Sequence, residues 1–189
     1  MLAWFGSPKP ECGRFILLDR DGVINVNGPD YIKSLAEVVF YEDALEALKI
    51  LEQKGVGAIL VSNQSGINRG LIAWEDFRQI HEGVIRRVEE CGGRIHAAFY
   101  CPHRPDENCG CRKPAPGMIF SACRFAGIEP GQTFFVGDSQ SDMLAAQNAG
   151  CPGVRLLRAQ GEAADRSSSS ELVFQTLLGA VLSIYGKDI

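Results

Sequence analysis

Acidic side chains follow two apolar segments of the sequence, at the point where each segment ends. Asp19 and Asp21 come directly after residues 15–18, and Asp138 closes a second such segment, with Asp142 four residues later. Carboxylates at the exit of a buried strand are costly unless a positive charge lies among them. Mg²⁺ prefers such hard oxygen ligands and keeps other positions for water or phosphate. Mg²⁺ is therefore the natural candidate between Asp19 and Asp21, and Asp138 with Asp142 forms a second carboxylate pair at a strand end.

Hydroxyl and amide donors follow a third apolar segment, from Ser62 to Gly66. Each group alone has an ordinary structural explanation. Asp21 with Gly22 suits a turn, Asp138 or Ser139 suits a helix N-cap, and the segment from Ser62 suits a loop. Their joint placement at one edge of a sheet favours a ligand-binding site instead.

A loop rich in cysteine, from Cys101 to Cys111, raises three alternatives: a metal site, a disulfide knot or an anion-binding loop. Cys101, His103, Cys109 and Cys111 have the spacing C-x-H-x₅-C-x-C. Three thiolates and an imidazole suit tetrahedral Zn²⁺ and suit Mg²⁺ badly. Four protein ligands leave no open position, so this zinc is expected to be structural. Arg112 and Lys113 follow directly, which predicts a loop whose metal fixes two cations able to bind an anion.

The elements that position these residues alternate between strand and helix. Apolar runs predict strands at residues 14–18, 56–61, 94–100, 132–137 and 153–157. Amphipathic patterns predict helices at residues 41–55, 73–93, 116–127, 139–150 and 171–186. Uniformly apolar strands that alternate with helices indicate a parallel sheet covered on both faces, a Rossmann-like three-layer α/β sandwich. Such sheets bind ligands at the carboxyl ends of their strands.

Size and composition limit the class of protein. The chain has 189 residues, enough for one domain with its own core, and a net charge of −4. We expect an irregular N-terminal extension at residues 1–13, one domain at residues 14–189, and a polar linker at residues 160–170. The acidic balance disfavours a nucleic-acid partner, and neither a membrane span nor a signal peptide is expected. Seven cysteines, an odd number, favour a reducing, cytoplasmic setting. A monomer is expected.

Four motifs together resemble a known family. DRDGVIN, SNQSGINRG, CPHRPDENCGCRKPAPGM and VGDSQSDMLAAQNAG occur in order between Arg14 and Leu156. They are similar to the signatures of the haloacid dehalogenase (HAD) phosphatases. Within that superfamily they resemble the D-glycero-D-manno-heptose 1,7-bisphosphate 7-phosphatases and the related histidinol-phosphate phosphatases.

The resemblance implies catalytic roles for individual residues. Asp19 would be the nucleophile that forms an aspartyl-phosphate, and Asp21 the general acid and then the base. Ser62 and Asn63 would hold the phosphoryl oxygens, and Lys113 would neutralise them. The implied Mg²⁺ ligands are Asp19, the Asp21 carbonyl oxygen and Asp138.

Many HAD enzymes close a cap domain over the site, but the spacing here leaves no room for one. Only about twenty residues separate Asp21 from the first predicted helix, and one helix, one strand and the Cys/His loop fill the interval from Asn63 to Lys113. Selectivity would then come from loops, with substrate contacts at Asn27, Tyr31, Ser62, Asn63, Gln64, Ser65, Arg69, Arg112 and Lys113. The implied activity is Mg²⁺-dependent removal of the 7-phosphate from the heptose bisphosphate, a small phosphorylated sugar. Histidinol-phosphate hydrolysis is the first alternative. A DNA-end phosphatase or a zinc-loop nucleic-acid-binding module is a further one, disfavoured by the acidic charge.

Overall fold

Short apolar segments form the central strands of a seven-stranded, mainly parallel sheet. The computed structural model describes residues 1–6, 13–28, 30–158 and 172–186. The strands are Leu2–Phe5 (β1), Arg14–Leu18 (β2), Val56–Asn63 (β3), Ile95–Cys101 (β4), Phe134–Gly137 (β5), Gly153–Leu156 (β6) and Leu172–Phe174 (β7). Their order across the sheet is β1-β4-β3-β2-β5-β6-β7. Every neighbouring pair is parallel except β1 with β4, which is antiparallel.

Helices cover both faces of this sheet. They are Glu42–Gln53 (α1), Trp74–Glu90 (α2), Gly117–Ala126 (α3), Gln140–Ala149 (α4) and Leu177–Tyr185 (α5). Side chains of β2 alternate between two cores: Ile16 and Leu18 pack with α1, α2 and α5, whereas Phe15 and Leu17 pack with α3 and α4. The predicted three-layer α/β sandwich is therefore confirmed. None of the described helices combines the length and the apolar character that crossing a bilayer requires.

Two predictions about the ends of the chain were wrong. Residues 2–5 form β1 rather than an irregular lead-in, because Leu2 and Trp4 pack on the core while the backbone pairs with β4. Four residues carry too short an alternation to reveal this from sequence. The predicted closing helix instead begins at Leu177, where the Thr176 hydroxyl accepts a hydrogen bond from the Gly179 amide, and β7 precedes it. The predicted polar linker at residues 160–170 lies outside the described residues.

The sheet order decides which strand ends meet. β3, β2 and β5 are adjacent and parallel, so the residues that follow them lie along one edge. β4 lies next to β3 and leads into the loop that carries Lys113. Among the described residues between β2 and α1, regular structure is limited to isolated bridges and one short 3-10 turn, Leu35–Glu37. This leaves the edge open above the strand ends.

Candidate active site

Asp19 lies at the carboxyl end of β2, almost completely buried, with a lysine against its carboxylate. The Lys113 Nζ is 3.0 Å from Asp19 Oδ2 and also forms an ion pair with Asp142 Oδ1. It further donates a hydrogen bond of 3.1 Å to the Val61 carbonyl oxygen. The backbone amide of Arg20 donates to Asp19 Oδ1 at 2.8 Å. These contacts fix both the carboxylate and the ammonium, which are both buried.

Three carboxylates surround this ammonium. Carboxylate oxygens of Asp19, Asp138 and Asp142 all lie within 4.8 Å of one another. Burial raises the pKa of Asp19 to about 7; Lys113 opposes this, while the neighbouring carboxylates add to it. Burial and the charge of Asp142 raise the pKa of Asp138 to about 6. When all are ionised, one ammonium leaves two negative charges unbalanced, so the donor set fits a divalent cation with a preference for oxygen.

Asp142 belongs to this cluster although sequence reasoning assigned it no ligand role. It lies in the first turn of α4, where the Ser139 hydroxyl and amide both donate to Asp142 Oδ2, at 2.7 and 3.1 Å. The Ser139 hydroxyl also accepts a hydrogen bond from the Asp142 amide at 3.3 Å, so Ser139, one of the two cap residues that the motif allowed, is the N-cap of α4. The four-residue spacing from Asp138, which brings the two carboxylates to the same side, was the available signal.

Gly22 allows the Asp138 carboxylate to approach the loop that follows β2. Its backbone has φ of +80°, and an added Cβ would overlap Asp138 Oδ2. Both the left-handed conformation and the close contact require glycine here. The turn after Asp21 thus has a second purpose, which is to bring two parts of the candidate metal site together.

The Asp21 carboxylate turns away from the other three. Arg20 binds it through two hydrogen bonds of 3.0 and 2.9 Å, and Asn25 and Gln64 each donate to it at 2.8 Å. Burial alone would raise the pKa of Asp21, but the charge of Arg20 and these hydrogen bonds lower it. Among the described residues, Arg20 is thus the cation that pairs with Asp21, and Lys113 the one that pairs with Asp19.

Ser62 and Asn63, at the end of β3, form hydrogen bonds with different partners. The Ser62 hydroxyl is buried and accepts a hydrogen bond from Gln64 Nε2 at 3.2 Å. The Asn63 side chain pairs with the backbone of Lys113: its Nδ2 donates to the carbonyl oxygen, and its Oδ1 accepts from the amide, both at 3.1 Å. Asn63 therefore already supports the backbone of the residue expected to neutralise the phosphate.

An open cavity of about 370 Å³ lies over these groups. The residues that line it are Asp19, Asp21, Asn27, Asp30, Tyr31, Ile32, Ser62, Asn63, Gln64, Lys113, Asp138, Ser139 and Ser141. Most of the sequence candidates are among them. Asp30, Ile32, Ser139 and Ser141 were missed, because only the folded loops show which side chains face the cavity.

Three predicted substrate contacts lie outside this lining. Ser65 is buried behind Tyr31, whose hydroxyl lies 3.1 Å from the serine Oγ. Arg112 donates through Nη1 to the His103 carbonyl oxygen at 3.2 Å, and Arg69 is exposed. The cation that the cavity itself presents, among the described residues, is Lys113.

Cys101, His103, Cys109 and Cys111 converge in the loop after β4. The measured Sγ···Sγ distances are 3.5–3.6 Å, and the His103 Nδ1 lies 3.5 Å from Cys101 Sγ and 3.3 Å from Cys111 Sγ. Ligands at about 2.3 Å for sulfur and about 2.0 Å for nitrogen around a tetrahedral ion are separated by roughly 3.5–3.8 Å. The four atoms therefore fit one Zn²⁺. Arg112 and Lys113 follow directly after Cys111, the last of the four ligand residues.

The remaining cysteines and histidines lie apart from both clusters. Cys91, Cys123 and Cys151 are free thiols, while Cys12 lies outside the described residues. His81 Nδ1 is 2.9 Å from the Tyr100 hydroxyl, and His96 lies 3.9 Å from a Glu52 carboxylate oxygen. Both histidines are buried, as befits the structural role predicted for them.

Comparison with known proteins places this geometry among phosphatases. A HAD-hydrolase-like family model matches residues 110–180. The chain is 40% identical over 138 residues to a probable D-glycero-D-manno-heptose-1,7-bisphosphate 7-phosphatase of Thermoplasma acidophilum, covering 72% of this chain and 86% of that protein. It is 39% identical over 146 residues to the D-glycero-beta-D-manno-heptose-1,7-bisphosphate 7-phosphatase of Pseudomonas aeruginosa, covering 77% and 82% of the two chains.

A solved structure is similar across almost the whole chain. It is the D,D-heptose 1,7-bisphosphate phosphatase of B. bronchiseptica complexed with magnesium and phosphate. It aligns with a TM-score of 0.84 at 32% identity, over 92% of this chain and 99% of that one.

Proposed function

Because the chain belongs to the HAD-like phosphatase family that includes the D-glycero-D-manno-heptose-1,7-bisphosphate 7-phosphatases, we propose that it removes the 7-phosphate of D-glycero-D-manno-heptose 1,7-bisphosphate. One observation carries the proposal. At the floor of an open cavity, the Lys113 ammonium lies 3.0 Å from the Asp19 carboxylate, beside Asp138 and Asp142. A buried carboxylate next to a fixed cation is what attack on an anionic phosphoryl group requires.

In the first step, an Asp19 oxygen attacks phosphorus and forms an aspartyl-phosphate as the bond to the C7 oxygen of the sugar breaks. Lys113 lies against Asp19 and reduces the repulsion between the two anions. The Ser62 hydroxyl at the end of β3 would donate to a phosphoryl oxygen. Asn63 would contribute by fixing the backbone of Lys113.

Asp21 would give a proton to the sugar alkoxide in this step. In the second step it would take a proton from the water that attacks phosphorus and releases inorganic phosphate. Its ion pair with Arg20 keeps it ionised, which suits the second role. For the first role Asp21 must first take up a proton from solvent, which requires its carboxyl group to leave Arg20 and turn toward the cavity, whose wall it already forms.

The carboxylates of Asp19, Asp138 and Asp142, with the Asp21 carbonyl oxygen, are the groups that would hold Mg²⁺. When bound there, the ion offsets the charge of the carboxylates and of the phosphoryl group. The Cys101–Cys111 loop would hold a structural Zn²⁺ that fixes Arg112 and Lys113 relative to β4.

Substrate selection would depend on the loops around the cavity. Asn27 and Tyr31 would contact the sugar, and Gln64 and Ser65 would set the position of Tyr31 and Asp21. Arg69 and Arg112 lie outside the cavity lining, where they would meet the second phosphate of a bisphosphate. We further infer a cytoplasmic monomer that acts on this small sugar phosphate and not on nucleic acid; none of the six described cysteines forms a disulfide, which suits a reducing compartment.

The test is phosphate release from the heptose 1,7-bisphosphate, measured beside histidinol phosphate and a 5′-phosphorylated DNA duplex, with Mg²⁺ and after its removal by chelation. We expect the highest kcat/KM with the heptose bisphosphate and no turnover without Mg²⁺. A higher kcat/KM with histidinol phosphate would replace the substrate but keep the chemistry. Turnover of the duplex, with DNA affinity that falls steeply as salt rises, would contradict the proposal.

A further inference from the structure

Arg158, just beyond β6, reaches the loop that follows the nucleophile. Its Nη2 donates to the Val23 carbonyl oxygen at 2.7 Å, and its Nε donates a longer bond of 3.4 Å to the Gly22 carbonyl oxygen. Val23 and Gly22 precede Arg158 by 135 and 136 positions, so this contact exists only in the folded chain. No sequence motif assigned a role to this arginine.

The Arg158 guanidinium also contacts residues at the start of α1. Arg158 Nη1 pairs with Asp43 Oδ1 in the first turn of α1, and the guanidinium lies 3.6 Å from the centre of the Tyr41 ring. Asp43 Oδ2 accepts the Leu177 amide at the start of α5, at 2.8 Å. A planar, permanently charged fork can meet a carboxylate, two carbonyl oxygens and an aromatic face at once. The side chain is 14% exposed, so water competes little for these contacts.

The carbonyl oxygens that Arg158 holds belong to the turn at Gly22. That turn lies so close to the Asp138 carboxylate that only glycine fits at position 22, and Asp21 is the residue directly before it. A shift of the Gly22–Val23 peptides would therefore change the distance between Asp138 and the loop that bears Asp19 and Asp21. Displacements of about 1 Å at such a site cost on the order of 100-fold in rate.

We infer that Arg158 is a positioning residue for the phosphatase: it fixes the loop after β2 at the separation from Asp138 that catalysis and Mg²⁺ binding need. This inference rests on the proposed function and assigns Arg158 no contact with substrate. Groups that orient the ligands of a metal site commonly affect affinity or activity by about 10- to 100-fold.

The experiment compares Arg158→Lys and Arg158→Gln with wild type and with Arg94→Lys. Arg94 supplies a matched control, because it pairs with Glu52 of α1 at 3.5 Å but precedes β4, at the opposite edge of the sheet. p-Nitrophenyl phosphate serves as substrate, so the assay does not depend on the identity of the sugar. Each protein is measured for kcat, KM, the Mg²⁺ concentration that gives half-maximal rate, and the rise in melting temperature on adding Mg²⁺.

We expect both Arg158 variants to lower kcat by about 10- to 100-fold with little change in KM, and to raise the half-saturating Mg²⁺ concentration. The rise in melting temperature with Mg²⁺ should shrink, and Arg94→Lys should match wild type. If wild type releases no phosphate from p-nitrophenyl phosphate or from the heptose 1,7-bisphosphate, the proposed function fails. If wild type is active and a folded Arg158→Lys keeps kcat and Mg²⁺ dependence within twofold, the inference about Arg158 is overturned. An equal loss in Arg94→Lys overturns it as well.

Discussion

The side chain of Asn63 and the backbone of Lys113 form two hydrogen bonds, each 3.1 Å long. They join Asn63, at the end of β3, to Lys113, which lies fifty positions later in the chain and two residues after Cys111. The Lys113 ammonium then reaches back to Asp19 and Asp142 beneath the same strand end. The position of the Lys113 ammonium therefore depends both on its buried ion pairs with Asp19 and Asp142 and on the side-chain amide of Asn63 at the end of β3, which holds the Lys113 backbone.

Asn63→Ala is expected to displace the Lys113 peptide and leave two backbone groups without their partners. Stability should fall by about 1–3 kcal/mol, and kcat/KM for a phosphomonoester should fall with it. Urea unfolding and steady-state kinetics measure the two effects. Asn148→Ala is the control, because Asn148 donates a single surface hydrogen bond to the next carbonyl oxygen, that of Pro114, at 2.9 Å. Equal kinetics for the two variants would contradict this account of Asn63.

Lys113→Met should leave buried carboxylates facing one another. Removing one partner of a buried ion pair typically costs about 3–5 kcal/mol, and we expect a loss of that size in Mg²⁺-free buffer. Because a divalent cation would balance the same carboxylates, added Mg²⁺ should recover part of the loss. Urea unfolding with and without Mg²⁺ tests this, with Lys49→Met on the exposed face of α1 as control. A loss no larger than that of the control would refute the electrostatic role.

Asp19→Asn should abolish turnover while preserving the fold, because an amide is not a nucleophile toward phosphorus. In wild type, rapid acid quenching followed by peptide mass spectrometry should detect the phosphoryl group on the peptide that contains Asp19. The matched control is Asp106→Asn, an exposed carboxylate on the Cys/His loop. Appreciable turnover by Asp19→Asn, or the label on another residue, would assign the nucleophile elsewhere.

Cys109→Ser should remove one of four zinc ligands. Zinc content, measured by plasma mass spectrometry, should fall from one ion per chain to a small fraction of that. The melting temperature should drop, and KM should rise because Arg112 and Lys113 follow the loop directly. Cys91→Ser, at the end of α2, should change none of these quantities. Unchanged zinc content in Cys109→Ser would rule out the tetrahedral site.

Acid should destabilise the protein in part through His81. Burial and the nearby Arg20 charge lower its pKa to about 4, against the opposing effect of Glu82, whereas an unfolded histidine titrates near 6.5. Between about pH 6.5 and 4 the unfolded chain binds a proton that the folded protein does not, so stability falls as pH falls through this window.

His81→Gln removes this titration and retains a polar partner for the Tyr100 hydroxyl, which lies 2.9 Å from His81. The free energy of unfolding should therefore depend less on pH between 6.5 and 4 in this variant. Urea unfolding at several pH values provides the measurement. His96→Gln controls for the second buried histidine, whose pKa burial also lowers. An unchanged pH slope in His81→Gln would contradict the assignment.

The sequence by itself determined the layered α/β architecture, because uniformly apolar strands and amphipathic helices have few other ways to bury their surfaces. It also singled out Asp19, Asp138, Lys113 and the Cys/His quartet as candidates, through the spacing of the metal-ligating residues and the resemblance of four motifs to those of the HAD phosphatases. It did not reveal β1 or β7, whose three or four residues take strand form through pairing with neighbours that are distant in sequence.

Only the tertiary structure decided how the charges are distributed. In the folded protein Asp142 forms an ion pair with Lys113, and Asp21 forms one with Arg20. The Asn63 side chain forms hydrogen bonds with the backbone of Lys113, and Arg158 donates hydrogen bonds to the carbonyl oxygens of Gly22 and Val23. Each of these contacts joins groups that residue type alone would leave with several suitable partners. Sheet order and side-chain direction select one partner for each, because a buried charge must be balanced by whichever opposite charge the fold brings within reach.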